Sequence, residues 1–337
     1  MTSPTVLLTG ATGFVGAHTA KVLVEDGVDV IATDVSTDPT RLRKLGVLDD
    51  VSLQRLDLTD PTAVVRTLRQ TGATRVIHLG AVTSLIAARE PRQALEVNVM
   101  GTNNVFEAAR TLDDQIERVA WASTMAVYGH ADRYPALPVD EEDLVGPDSI
   151  YGATKACCEQ QAALYAREFG LSLVGLRPTG VFGPFNTPAY LDAEQEAEVA
   201  DRSPSGRLAN LFVRTAQEQP VSMTVQDGAM DWIYVGDVAR LFAAAALRPD
   251  ADLSRRLYNA ASGAVATVPE IADHLRELVP GAEIDLTVEG ESPYVGRIDG
   301  SAARADLGVT PNDNLRETIR NYVETIRADQ GLPPLTE

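Results

Sequence analysis

Along the first half of the chain, short apolar runs alternate with longer stretches of helical periodicity. Val6–Leu8, Val28–Thr33, Val51–Leu56, Arg75–Leu79, Arg118–Ala122 and Leu171–Leu176 read as strands, being brief aliphatic or β-branched runs bounded by turn residues. Between them Gly13–Glu25, a segment opening at Thr59-Asp60-Pro61, Val97–Arg110 and Tyr151–Phe169 read as helices. Pro61 suits a first helical turn, and Gly170 stops the last of these helices. Strand and helix in strict alternation predict βαβ units, and hence an α/β fold with a doubly wound parallel sheet.

After Pro178 the rhythm breaks. Gly180–Arg207 holds Pro184, Pro188, Pro204 and an acidic run from Asp192 to Asp201, and reads as a loop or lid. Leu208–Gln217 is an expected helix, Asp231–Val235 a strand entering a helix at Val238–Leu247, and Leu315–Arg327 an amphipathic helix. The pattern divides into a larger unit of residues 1–180 plus about 230–262, and a smaller, discontinuous C-terminal lobe of 181–229 and 263–337.

Composition narrows the partners. The chain has 337 residues, enough for a full core, and 29 basic against 48 acidic side chains give a net charge of −19. Nucleic acids and anionic membranes, themselves polyanions, are poor partners for such a surface. The opening MTSPTVLLTG has no basic start, and the seven-residue run Leu241–Leu247 is far short of the roughly 20 residues of a membrane span. A cytoplasmic protein is expected. Cys157 and Cys158 are adjacent and suit neither a mutual disulfide nor a zinc site, and His18, His78 and His274 lack ligand companions, so no metal is expected. Lysine is scarce: only Lys21, Lys44 and Lys155 occur, all other basic side chains being Arg.

The strongest local chemical signal is Thr9-Gly10-Ala11-Thr12-Gly13-Phe14-Val15-Gly16, directly after the first strand and opening a helix. Glycines at 10, 13 and 16 permit a tight turn and close approach of backbone to a pyrophosphate, which the N–H groups of the helix start then bind. In a βαβ context this is the dinucleotide fingerprint of a Rossmann domain. Asp34 closes the second strand where a carboxylate hydrogen-bonds the adenosine ribose and repels a 2′-phosphate, and no cation follows before Arg41, which favours NAD over NADP. Tyr151 and Lys155 lie four apart on one helix face, so an ammonium beside a phenol favours the phenolate and makes Tyr151 a base. Ser123-Thr124 sits at the C-terminal end of the fifth strand, the edge at which α/β sheets bind ligands.

TGATGFVG, Asp34, Asp57-Leu58, His78-Leu79-Gly80-Ala81, Asn98-Val-Met-Gly-Thr, Ser123-Thr124-Met-Ala-Val-Tyr-Gly, YGATK and Leu176-Arg177-Pro178 follow one another in order. Together they resemble the extended short-chain dehydrogenase/reductases, the NAD-dependent epimerase/dehydratase family, over residues 5 to about 250. The resemblance implies a catalytic triad of Thr124, Tyr151 and Lys155. It implies NAD contacts from Gly10, Gly13, Phe14, Val15, Gly16, Asp34, Asp57, Leu58, Leu79, Gly80, Ala81 and Pro178 as well as Tyr151 and Lys155. Asn98 would be structural or a distant cofactor contact, and two helices per subunit would form a homodimer.

Departures from the family pattern bear on substrate. Met125-Ala126 stands where family dehydratases carry Asp-Glu, which argues against dehydration. Met230 stands where nucleotide-sugar members commonly carry an Arg that pairs with the phosphates, and a thioether cannot replace that bidentate ligand. Arg207, Arg214 or Arg297 are the candidates to substitute, none ranked above the others and each better read as a solvated surface charge. The favoured expectation is an NAD-dependent dehydrogenase acting on a secondary hydroxyl of a sugar or sugar-derived hydroxy acid. A UDP-sugar 4-epimerase is the alternative, and a non-catalytic NAD-sensing protein is a third reading that the intact triad disfavours.

Overall fold

A computed structural model describes residues 4–186 and 204–335. Its strands are β1 (Thr5–Thr9), β2 (Asp29–Asp34), β3 (Val51–Arg55), β4 (Arg75–His78), β5 (Arg118–Ala122), β6 (Leu173–Pro178), β7 (Gly180–Phe182), β8 (Val221–Asp227), β9 (Met230–Tyr234), β10 (Leu257–Ala260), β11 (Val265–Ala266) and β12 (Ile284–Glu291). Its α-helices are α1 (Phe14–Glu25), α2 (Thr40–Lys44), α3 (Pro61–Thr71), α4 (Ser84–Arg89), α5 (Pro91–Ala94), α6 (Thr102–Thr111), α7 (Ile150–Phe169), α8 (Pro204–Ala216), α9 (Val235–Leu247), α10 (Val268–Leu278), α11 (Ser301–Leu307) and α12 (Leu315–Asp329).

The six expected strands and β10 form one sheet of order β3-β2-β1-β4-β5-β6-β10, parallel throughout. The inner strands β1, β4, β5 and β6 are apolar because both of their faces are covered, whereas the edge strand β3 leaves Ser52, Gln54 and Arg55 exposed. On β1, Val6 and Leu8 pack under α1 and α9 with Ile77, Ala120 and Val174, while Leu7 turns to the opposite core with Val76, Val119 and Trp121. That second core is closed by Val64 and Leu68 of α3, Phe106 of α6 and Cys158 of α7. The register aligns the carboxyl ends: Thr9 lies opposite Thr33 and His78, and His78 opposite Trp121. The residues that follow β1, β2, β4 and β5 therefore emerge on one edge, and this alignment assembles the site.

The remaining strands form a three-stranded sheet, β11-β9-β7, and a β12-β8 pair. Phe182, Phe212, Trp232 and Tyr322 centre this smaller core, with Phe212 and Tyr322 stacked at 4.3 Å. Strand alternation makes β9 a bridge: Trp232 enters the small core and Ile233 the large one. The amphipathic helix at the C-terminus is present as α12, with Ile319, Tyr322, Val323 and Ile326 buried at the expected spacing.

Several boundaries differ from expectation. The sixth strand runs from Leu173 to Pro178, two residues further than the apolar run. The helix expected from Val97 is a π-helix over Leu95–Gly101 followed by α6. The stretch expected to be a loop contains β7 and the first turn of α8, which opens at Pro204, a residue favoured at that position because its missing N–H costs nothing there. Pro188 and the acidic segment 192–201 lie outside the described residues. Among the described residues, no helix is long and apolar enough to cross a membrane, and no group of three or more His, Cys, Asp or Glu could hold a metal ion.

Candidate active site

The turn after β1 is built by close backbone contact. Gly10 has φ +70°, and a Cβ there would lie 2.7 Å from the Gly80 nitrogen and 2.8 Å from the Leu79 carbonyl carbon. A Cβ on Gly16 would lie 2.0 Å from the Gly10 oxygen, which no side chain can tolerate. The Gly13 N–H closes the turn on the Gly10 carbonyl at 3.0 Å. Gly13 is the N-cap of α1 and has no side chain with which to cap it. The first-turn N–H groups, including those of Phe14 and Val15, therefore lack intrahelical acceptors and suit an anion. Gly10, Leu79 and Gly80 are thus brought together, and Leu58 joins them, its Cδ1 only 2.6 Å from where a Gly80 Cβ would stand.

Asp34 ends β2 beside this turn, where its carboxylate accepts hydrogen bonds from the Thr12 N–H (3.1 Å) and the Thr12 hydroxyl (2.8 Å). The acid expected to meet a ribose therefore also locks the turn. The Asp57 Oδ1 accepts from the N–H and hydroxyl of Thr59, and those bonds hold its carboxyl below the ordinary range. Asn98, fully buried in the π-segment, clasps Val82 by accepting from its N–H at 2.8 Å and donating to its carbonyl at 3.0 Å. It fixes the chain just after Gly80-Ala81. Pro178 ends β6 opposite Ala260 on the same sheet edge.

Thr124 follows β5, and its Oγ1 accepts the Ala126 N–H at 3.2 Å. Tyr151 and Lys155 descend on the facing stripe of α7, a helix capped by the Ser149 hydroxyl and stopped by Gly170. The Thr124 hydroxyl lies close enough to the Tyr151 phenol to lower its pKa, and the Lys155 Nζ donates to the Ala122 carbonyl at 2.8 Å. The three residues converge at the carboxyl edge of β5. The expectation of a phenolate favoured by its ammonium neighbour needs correction. Burial pushes the Tyr151 phenol up to about 12, opposed by its Thr124 hydrogen bond. Burial also lowers Lys155, whose charge is directed at a backbone carbonyl. Desolvation outweighs sequence spacing here.

Other candidates are resolved by their partners. His78 is buried between the hydroxyls of Thr9 (2.8 Å) and Thr102 (3.0 Å), and desolvation lowers it to about 3, so it is a neutral core residue. His18 contacts the Pro184 carbonyl at 3.1 Å and stacks on Phe185. His274 lies in a groove with Glu270, Asp273 and Glu277 of α10, away from the triad. Met230 packs its Cε 2.9 Å from where a Gly180 Cβ would sit. Arg207 and Arg214, by contrast, line one cleft of 720 Å³ between α8 and the β8–β12 pair, with Asn210, Ser222, Glu283 and Asp285.

Two features escaped sequence reading. Arg41 returns from α2 to the glycine turn, donating to the Thr12 carbonyl at 2.9 Å and the Phe185 carbonyl at 2.8 Å, a contact across 144 positions that spacing cannot reveal. Glu159 lies one further turn along the Tyr151–Lys155 stripe, a signal that was present in the sequence, and it bonds Ser123.

The backbone cradle that side chains would fill, the open helix start and the Asp34 carboxylate beside them all fit a dinucleotide. Comparison with known proteins agrees. A family model described as the NAD dependent epimerase/dehydratase family matches residues 6–261. UDP-glucuronate 4-epimerase 1 of Arabidopsis thaliana is 26% identical over 94% of this chain and 75% of its own length. The crystal structure of Thermus thermophilus UDP-glucose 4-epimerase in complex with NAD superposes with a TM-score of 0.79 at 27% identity, covering 96% of this chain and 99% of that one. An L-threonine dehydrogenase from Cupriavidus necator superposes with a TM-score of 0.80 at 25% identity, covering 95% and 99%. The chain belongs to the NAD-dependent epimerase/dehydratase family and is an enzyme of the short-chain dehydrogenase/epimerase type, with NAD as its cofactor.

Proposed function

We propose that the protein is an NAD-dependent dehydrogenase that oxidises a secondary hydroxyl of a small sugar or hydroxy acid carrying no nucleotide. The observation that carries this reading is the meeting of Thr124, Tyr151 and Lys155 at the carboxyl end of β5, beside the turn that holds Gly10, Gly13 and Gly16. NAD, when bound, supplies the acceptor for the hydride that leaves the carbinol carbon. The Gly13–Gly16 helix start would hold its phosphates, Asp34 its ribose, and Leu58, Leu79, Gly80 and Ala81 would line its path. Tyr151 takes the hydroxyl proton, Thr124 orients the reacting oxygen, and the Lys155 ammonium stabilises the phenolate once drawn towards it. With its pKa raised, the Tyr151 phenol is protonated at neutral pH, the form that donates to a carbonyl in the reverse direction.

The nucleotide-free substrate is supported by Met230, whose thioether is packed on Gly180 and offers a phosphate no charge. The similarity to an L-threonine dehydrogenase points the same way, since threonine is a small secondary alcohol. A second reading, a UDP-sugar 4-epimerase, is favoured by the Arg207–Arg214 cleft, although Glu283 and Asp285 oppose those cations across it. A homodimer is the proposed assembly, supported by exposed Leu95 and Met100 on the π-segment and Leu164 and Phe169 on α7.

The test incubates the enzyme and NAD with sugars, aldonates, β-hydroxy amino acids and UDP-sugars, following NADH absorbance and separating products. Net NADH from a nucleotide-free substrate is the expected result. Formation of a sugar-nucleotide epimer without net NADH would replace this reading with the second.

A further inference from the structure

We propose that Ser123, Glu159 and Arg177 form a buried positioning relay that holds Thr124 against Tyr151. The inference rests on the triad reading above.

Tyr151, Lys155 and Glu159 are spaced four apart on α7 and so form one stripe along it. That stripe meets three consecutive residues at the end of β5: the Tyr151 phenol faces Thr124, whose hydroxyl lowers its pKa, Lys155 bonds the Ala122 carbonyl, and the Ser123 hydroxyl donates to Glu159 Oε1 at 2.5 Å. The third tie is fixed from behind. Arg177 on β6 donates through Nε to Glu159 Oε1 and through Nη2 to Oε2, both at 2.8 Å, and through Nη1 to the Tyr128 hydroxyl at 2.7 Å. Ser123, Glu159 and Arg177 are 2%, 7% and 3% exposed.

A buried ion pair is a poor source of stability, because packed apolar side chains of similar size do as well. Its advantage is geometry. The planar guanidinium fork sets the carboxylate plane, and that plane allows the Ser123 hydroxyl one direction of approach. Thr124 follows Ser123 directly on extended backbone, φ −166° and ψ 153°. Anchoring the Ser123 side chain to Glu159 therefore fixes the backbone that carries Thr124 and the position at which its hydroxyl meets the phenol. These three are positioning residues that touch the reacting groups only through Thr124.

The test compares Ser123→Ala, Ser123→Thr and Glu159→Gln with the wild type. Ser123→Ala leaves the Glu159–Arg177 pair whole and is expected to fold with an unchanged melting temperature. Its kcat should fall about tenfold, the equivalent of one charge-assisted hydrogen bond, with KM and the NAD Kd within about twofold. The acid limb of its pH–rate profile should move upward, because the Thr124 hydrogen bond that lowers the Tyr151 pKa is loosened. Ser123→Thr, which restores the hydroxyl, should recover kcat and profile, and Glu159→Gln should show the same upward shift. A wild-type kcat and pH profile in Ser123→Ala overturns the relay. So does a loss that follows melting temperature or NAD affinity and is not recovered by Thr. Full activity in Tyr151→Phe would instead overturn the triad reading, which separates the two failures.

Discussion

Gly16→Ala isolates the contact on which dinucleotide binding depends. The added methyl would stand 2.0 Å from the Gly10 carbonyl oxygen, whereas real Cβ contacts essentially never fall under 3.0 Å. Turn and helix must therefore separate by about 1 Å, because both partners are backbone and neither can rotate away. The N–H donors at the start of α1 shift by the same amount relative to Gly10. A hydrogen bond to a phosphate is worth about 1.5–3 kcal/mol, so losing the equivalent of one weakens NAD by roughly ten- to a hundredfold. Overpacking costs a further 1–3 kcal/mol or so of stability. Leu23→Ala is the control: Leu23 is fully buried two turns along α1, and its truncation costs about 2–5 kcal/mol without disturbing the turn. Calorimetric titration of NAD into both variants should show weak binding in Gly16→Ala and near wild-type binding in Leu23→Ala. A folded Gly16→Ala protein that binds NAD within twofold of the wild type would refute the reasoning.

Replacing Asp34 by Ala removes both the ribose acceptor and the Thr12 lock; NAD affinity should drop roughly tenfold while NADP affinity holds or rises, as competitive titration would show. The raised Tyr151 pKa predicts that the rate of alcohol oxidation climbs from neutral into alkaline pH and that carbonyl reduction falls over the same range, measurable as opposed profiles with the two cofactor forms. His78 is depressed from 6.5 to about 3 by burial and then by the Lys155 charge, so the folded state refuses its proton. The stability this contributes is complete above pH 6.5 and is lost as the pH falls towards 3, on the order of a few kcal/mol by linkage. Urea unfolding at pH 7 and pH 4 should show that loss, and His78→Asn, though less stable at pH 7, should show a shallower dependence.

The large sheet was legible because its strands are buried on both faces, which leaves uninterrupted aliphatic runs such as Val6–Leu8 between turn residues. The glycine turn was legible for a different reason: Gly10 and Gly16 answer backbone contacts that no other residue permits. Within the small lobe, β7 and β11 were not legible because they have three and two residues, too few to carry a period, and in the large sheet β10 escaped because it joins only through a distant partner, β6. At the site, the Tyr151–Lys155 stripe could be read from spacing, and Glu159 extends that stripe by one turn. Its partners Ser123 and Arg177 come from two other strands, and no local pattern places them there. The phenolate expectation failed because spacing reports proximity and says nothing about desolvation, which decides the Tyr151 pKa.

The central claim, that Tyr151 exchanges the proton of the reacting hydroxyl, is tested most directly by the single-turnover rate of hydride transfer in Tyr151→Phe. The NAD Kd is measured alongside, and the substrate is whichever compound the panel shows to react. The account predicts a rate lowered by about 10²–10⁴-fold with the NAD Kd within twofold of the wild type. A Tyr151→Phe enzyme that transfers hydride at the wild-type rate would contradict it.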